Sequence, residues 1–460
     1  MTQLMLDTLS AGAARRGIDR RRFLTTSGAM VASLAVLNSC ATGDEALPPA
    51  PFSSTAPSST TSSTTSTAST TSTATTTLGD PGGEYIVPQP EDEEACAIEL
   101  GDRGEFIFDI HTHHVMPEGV WRDNANRIES MVRNLVPAGC GEGDRLECLN
   151  RTAYITNMFL GSDTTFALLT DVPNSGPADA PLPWDDKVGT ADSGRVSAFK
   201  VYTEWGPGNQ GFSLADPAIG IPVIEQARSL GVNTICAHKG LPLQEFDRRF
   251  NGPDDICAMA AQYPDMNFVV YHSAYEIQTT ERAYDPTRAA TGVNSLVKAM
   301  DDHGIAANAN VWCELGTTWR EVMNNPTEAA HVMGKLLNRV GRDRVMWGTD
   351  GIWLGSPQRQ IEAFRAFQIT EAFQTEHGYP ALTDAVKARV FGLNAANLFG
   401  VDPVALTCAI NTDLLAASKG ELQVLVDDGL IPNPYEPIGY VTRREVLSWW
   451  NSMPAPEFPV

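Results

Sequence analysis

The sequence predicts an α/β fold, a (β/α)8 barrel with one reduced unit and a C-terminal helical extension, on three observations. Short apolar runs alternate with helix-patterned stretches, the helical stretches stop at glycine or proline, and polar residues gather at the ends of the runs. The first run, Phe106-Ile107-Phe108, is apolar throughout, as in a strand buried on both faces, and Asp109-Ile110 leads it into polar residues. TTFALLTDV (164–172), RVSAFKVYT (195–203), VNTICAH (232–238), MNFVVYH (266–272), NVWCEL (310–315) and DRVMWGTD (343–350) read as further buried strands. Between them AIGIPVIEQARSLG and AAHVMGKLLNRVG end on glycine and DDICAMAAQYP ends on proline, the stops expected of helices. The count reaches seven strands, because 171–195 is too short for a helix, a strand and another helix. Either an eighth strand lies in 116–150 or near Lys187-Val188, or the barrel is trimmed there. Beyond Val401, TDLLAASKGELQVLVDDG and REVLSWWNSM are helix-like, so 402–460 is expected to pack on the barrel, with Trp449-Trp450 in core packing ahead of a homodimer contact.

The front of the 460-residue chain reads differently. Arg20-Arg21-Arg22-Phe23-Leu24 followed by GAMVASLAVL has the basic and apolar regions of a twin-arginine export signal, and the apolar run is too short to span a bilayer. Leu37-Asn38-Ser39-Cys40 resembles a lipobox, in which Cys40 would be lipidated; Asn38 is unusual there, and a plain cleaved signal is the alternative. Residues 41–80 are dominated by Ser and Thr and hold too little apolar surface to offset ordering entropy, so they form a tether ahead of a barrel at 81–401. The expectation is an exported chain on the extracytoplasmic face of the membrane, attached through lipid only. A net charge of −23 argues against nucleic acid as a partner. Of the 8 cysteines, Cys140 and Cys148 in GCGEGDRLEC suit a short disulfide, and Cys96, Cys236, Cys257, Cys313 and Cys408 suit buried thiols. No Cys-x-x-Cys pair exists, which argues against a cysteine zinc site.

His111 and His113 stand two apart just past the first strand, where extended chain puts both on one face. His238 and His272 end two middle strands, Asp350 ends the last, and Lys200 lies late in RVSAFKVYT. Parallel barrel strands bring all these ends to one face, where active sites sit. The resulting nitrogen-rich set with a carboxylate suits Zn²⁺ or a similar divalent ion, with room for water. His114 is a candidate for contact with substrate or a ligand, while His303, His331 and His377 fall in helical or loop contexts and read as surface residues.

With DIHTHH, AHKG, VYHS, WGTD and the closing GLNAANLFG in view, the chain resembles the amidohydrolase superfamily over about 106–401, specifically the amidohydrolase-2 group that includes aminocarboxymuconate-semialdehyde decarboxylase. The resemblance implies that His111, His113, His238 and Asp350 ligate a metal, with His272 a ligand or a polariser of substrate. It also implies one ion with Lys200 unmodified, or two if Lys200 is carboxylated and bridges them. The expected activity is metal-dependent hydrolysis of a small amide, ester or lactone, with Asp350 moving the proton and His272 stabilising the oxyanion. A second reading is decarboxylation or hydration of a small unsaturated or aromatic acid, which needs a cation such as Lys239 or Lys200. Trp205 and Trp353, with Trp312 and Trp347, are candidates for an aromatic pocket lining. A third reading is a surface-anchored binding protein without turnover.

Overall fold

The computed structural model describes residues 82–87, 104–115, 145–170, 196–205, 210–242, 246–410, 414–431, 433–434, 444 and 447–448. The chain divides into two compact units, Met1–Asp80 with Asp413–Glu421 and Pro81–Thr412 with Leu422–Val460. Of the first, only 414–421 is described, the beginning of helix Leu414–Asp427. All that follows concerns the second unit. The expected export signal, Cys40, the tether, Cys96, Cys140, Lys187-Val188 and Trp449-Trp450 lie outside the described residues. Among the described residues no helix is long and apolar enough to cross a membrane.

A short antiparallel pair, β1 (Gly83–Tyr85) with β9 (Phe367–Ile369), lies apart from the main sheets. The barrel strands are β2 (Phe108–Thr112), β3 (Phe166–Leu169), β4 (Phe199–Tyr202), β5 (Thr234–His238), β6 (Asn267–Tyr271), β7 (Val311–Glu314) and β8 (Val345–Met346). β2 and β3 pair in parallel, and β4 to β8 form a five-stranded parallel sheet in sequence order. The two sheets meet where Ile110 N–H donates to the Trp347 carbonyl at 3.2 Å and Thr112 bridges to Gly351. Side chains add to this seam: Asp109, fully buried, accepts the backbone N–H and hydroxyl of Thr349. The ring therefore runs β3-β2-β8-β7-β6-β5-β4. Among the described residues no strand pairs with β3 on its other side or joins it to β4. Within 116–150, residues Arg145–Leu149 form a 3-10 helix rather than a strand.

Alternation along the strands sorts two apolar layers. Phe108, Ile110, Cys236, Val269, Tyr271, Trp312 and Met346 gather in one cluster with Ala395 and Ala396, while their neighbours Ile235, Ala237, Phe268, Val270, Val311, Cys313 and Val345 join the helices in the main core. The helices Gly220–Ser229, Asp254–Gln262 and Pro326–Lys335 fall where the glycine and proline stops place them. The last begins on Asn325, whose side chain accepts the Glu328 N–H, with Pro326 in the first turn. After the barrel, Leu406 packs against the inner cluster and Leu447 against the main core. Cys236, Cys257 and Cys313 are free and buried. Cys148 is disulfide-bonded, to a cysteine whose side chain is not among those described.

His331 does not lie on the surface as expected. It is buried, with Nδ1 3.0 Å from the Tyr379 hydroxyl. Its helix, Pro326–Lys335, packs on both sides, and His331 takes an inner position. Trp347 is buried in the main core and Trp312 in the inner cluster.

Candidate metal centre

Strict alternation from Phe108 and Ile110 would turn His111 away from the barrel interior. The β2–β3 ladder shifts register between Asp109 and Thr112, and such a bulge re-aims the side chains that follow. His111 and His113 both end with Nε2 on Asp350, at 3.3 and 3.2 Å from Oδ1. His272 stands with its ring 4.9 Å from that of His111 and 4.4 Å from that of His238.

Each of the four imidazoles has its Nδ1 engaged. His111 Nδ1 lies 3.0 Å from Glu314 Oε1, and His238 Nδ1 lies 3.1 Å from Glu204 Oε1. His113 Nδ1 lies 3.0 Å from the Thr170 carbonyl and His272 Nδ1 2.8 Å from the Gly316 carbonyl. A carbonyl or carboxylate oxygen only accepts, so each Nδ1 carries the proton and each Nε2 bears a lone pair. At His111 and His113 those lone pairs face a carboxylate oxygen. Three electron-rich atoms turned toward one another call for a proton or a metal ion between them, and the pair of histidines with Asp350 forms a group whose ligand atoms are close enough to share one ion. The residues present therefore fit a divalent metal.

The protonation states agree. Burial, then the charge of Lys200, holds His111 and His238 well below the usual histidine range, and burial with the nearby His238 pulls His272 down to about 3. Burial pushes the Asp350 carboxyl up, but its close neighbours His113 and His272, with the Thr317 hydroxyl, outweigh it and hold Asp350 below the ordinary carboxylate range. Asp350 is fixed on both oxygens, with the Thr317 hydroxyl donating to Oδ2 at 2.8 Å and the Trp353 indole N–H to Oδ1 at 3.1 Å. It adopts a left-handed φ of 57°.

Lys200 is half-buried with Nζ 3.5 Å from His111 Nε2 and 3.5 Å from the centre of the Tyr271 ring, and desolvation lowers its pKa. Lys239 takes another role than substrate contact. It is neither solvent-facing nor open to the site, since its Nζ donates to the Phe250 carbonyl at 2.8 Å and pairs with Asp255 at 2.8 Å. Trp353 stands 5.3 Å from the His113 ring, whereas Trp205 is separated from His238 by Phe246, 5.8 Å from one and 5.0 Å from the other. His114 faces Tyr154, with a buried Nδ1 that lacks a hydrogen-bond partner.

Two residues that the sequence reading missed, Glu204 and Glu314, complete the picture. Both are fully buried, and burial pushes both carboxyls up. The signal was present in VWCEL, where a carboxylate sits inside a run otherwise built for the core and must have partners there.

Fold and site together fit a metal-dependent barrel enzyme, with histidines and carboxylates as the candidate ligands. The family model described as Amidohydrolase matches residues 148–401, over half the chain, and the chain belongs to that family, a metal-dependent hydrolase or lyase. The matched span holds Lys200, His238, His272, Glu314 and Asp350, and the His111–His113 pair precedes it. Similar solved structures include a dihydroorotase from Campylobacter jejuni, 11% identical over 65% of this chain and 84% of that one with a TM-score of 0.32. A 2,6-dihydroxybenzoate decarboxylase is 13% identical over 64% of this chain and 98% of that one, with a TM-score of 0.35. An amidohydrolase 2 from Bifidobacterium longum subsp. infantis is 12% identical over 65% and 100%, with a TM-score of 0.30. No curated protein matches the chain.

Proposed function

We propose that the chain hydrolyses a small amide, ester or lactone with one Zn²⁺ held by His111, His113 and Asp350, and with His238 and His272 beside it. The observation that carries this reading is the meeting of His111 Nε2 and His113 Nε2 on one oxygen of Asp350. When bound, a divalent ion lowers the pKa of water to about 7 and polarises a carbonyl. Asp350, held ionised, takes the proton from the attacking water and returns it to the leaving group. His272, neutral with Nδ1 tied to Gly316, presents Nε2 as a ligand or as a polar contact to the substrate oxygen. Lys200 is read as unmodified, its ammonium resting on the Tyr271 ring.

Decarboxylation or hydration of a small acid is the second reading, favoured by Lys200 as a half-buried cation beside His111. Export by the twin-arginine route with a lipid on Cys40 is proposed on the residues 20–40 alone.

Elemental analysis of the purified protein tests the metal, with the His111→Ala/His113→Ala double variant alongside. About one zinc per chain, lost in the double variant, is the expected result. A folded wild type that stays metal-free after supplementation would sink the mechanism. Assays for acid or alcohol release against carbon dioxide release then divide hydrolysis from decarboxylation.

A further inference from the structure

Glu314 makes more contacts than orienting one histidine requires. Its Oε1 accepts from His111 Nδ1 at 3.0 Å and from the backbone N–H of His272 at 2.6 Å, and its Oε2 accepts the Gly316 N–H. Its own carbonyl accepts the Ser273 hydroxyl at 2.6 Å. The turn it grips is strained: His272, Ser273 and Ala274 have φ of 61°, 51° and 59°, three successive non-glycine residues in the left-handed region. Thr318 adds a hydroxyl bond to the His272 carbonyl at 2.8 Å.

Two glycines make room for this carboxylate. A Cβ on Gly348 would stand 2.2 Å from Glu314 Oε2, and one on Gly316 would stand 2.6 Å from Oε2 and 2.7 Å from His111 Nδ1. Neither glycine has positive φ, so space rather than backbone conformation accounts for them. Three of the four acceptor positions of Glu314 are filled, two on Oε1 and one on Oε2, so although it stands close enough to His111 and His272 to share an ion with them, its bonds already hold its neighbours.

We propose that Glu314 is a positioning residue that sets two imidazoles at once, holding the ring of His111 through its side chain and the strained His272 turn through its backbone. One carboxylate on β7 thereby ties the metal-facing nitrogen of His111 on β2 to the placement of His272 beyond β6. Glu204 has the narrower task of holding His238 alone. The inference rests on the metal reading above.

The test compares Glu314→Gln, Glu314→Ala and Glu204→Gln in the full chain loaded with Co²⁺, reading the visible ligand-field spectrum and the rate of metal release to a chelator. Alanine removes every acceptor. Glutamine keeps an oxygen for His111 and His272 but turns an N–H donor toward the Gly316 N–H. The expected order is wild type slowest, glutamine intermediate, and alanine about 10- to 100-fold faster in release, with an altered cobalt spectrum in both Glu314 variants. A merely structural role would lower the melting temperature and leave the spectrum alone. If Glu314→Ala fails to fold, Glu314→Gln decides the matter: release and spectrum equal to wild type overturn the proposal. The proposal is also overturned if Glu204→Gln matches Glu314→Gln in both readouts. A wild type that binds no Co²⁺ or Zn²⁺ overturns the metal reading and this inference with it, whereas normal metal binding with indifferent Glu314 variants overturns the inference only.

Discussion

Two of the buried polar networks among the described residues of this unit close differently. Beneath the helices, Lys335 pairs with Glu281 and donates to Asn294 at 2.7 Å, Glu281 Oε1 accepts the Val293 N–H at 2.7 Å, and the Glu281 N–H donates to Glu328 at 3.0 Å. Donors there meet acceptors, and the Lys335 and Glu281 charges offset each other. At the strand ends the same rule holds on one side of each imidazole only: every Nδ1 is paired, while the Nε2 atoms of His111 and His113 meet another acceptor. The contrast separates a buried network that ends in itself from one that awaits an ion, and burial alone would not tell them apart.

Breaking the unfinished network should cost function rather than stability. Asp350→Asn is expected to lower turnover of whatever ester, lactone or amide the wild type cleaves by about 10²- to 10⁴-fold, with a near-normal unfolding transition. Retained turnover would remove Asp350 from the proton path. Breaking the finished network should do the reverse. Lys335→Met strands a buried carboxylate, and denaturant unfolding should register a loss of about 3–5 kcal/mol while zinc stoichiometry stays at the wild-type value.

Smaller changes sharpen the same contrast. Trp353→Phe keeps the ring beside His113 and removes the N–H that fixes Asp350 Oδ1, so zinc affinity measured by competition should fall by about tenfold. An unchanged affinity would make Trp353 a wall and nothing more. His331 offers a pH test away from the metal. Burial, with the His377 charge second, lowers its pKa from 6.5 to about 4. The unfolded chain then binds the extra proton first. Stability is complete above about pH 6.5 and declines as pH falls toward 4, by about 1 kcal/mol once partial solvent contact is allowed for. Urea midpoints at pH 7.5 and 5 check this, and His331→Leu should flatten the difference.

Much of this was legible because strand ends carry a simple signal: an apolar run that stops on His or Asp. His111, His113, His238, His272 and Asp350 all follow it. Lys239 was misjudged because period-two alternation continues one residue past β5. With His238 facing inward, Lys239 faces the helix layer, where Asp255 waits. Glu314 was hidden by its apolar neighbours, and its partners, a ring nitrogen and two backbone amides, come from distant or non-side-chain sources that no spacing announces. The bulge that turns His111 inward is likewise a property of the ladder and not of any residue in FDIHT.

The seam between β2 and β8 also has a consequence for how the protein is made. Asp109 and Thr349, joined across it, are 240 residues apart, and Asp350 leaves the ribosome long after His111 and His113. The two histidines cannot find their third partner until the last strand has been synthesised and docked. With the proposed ligands His111, His113 and Asp350, an ion met early would find only part of its site until the barrel is assembled.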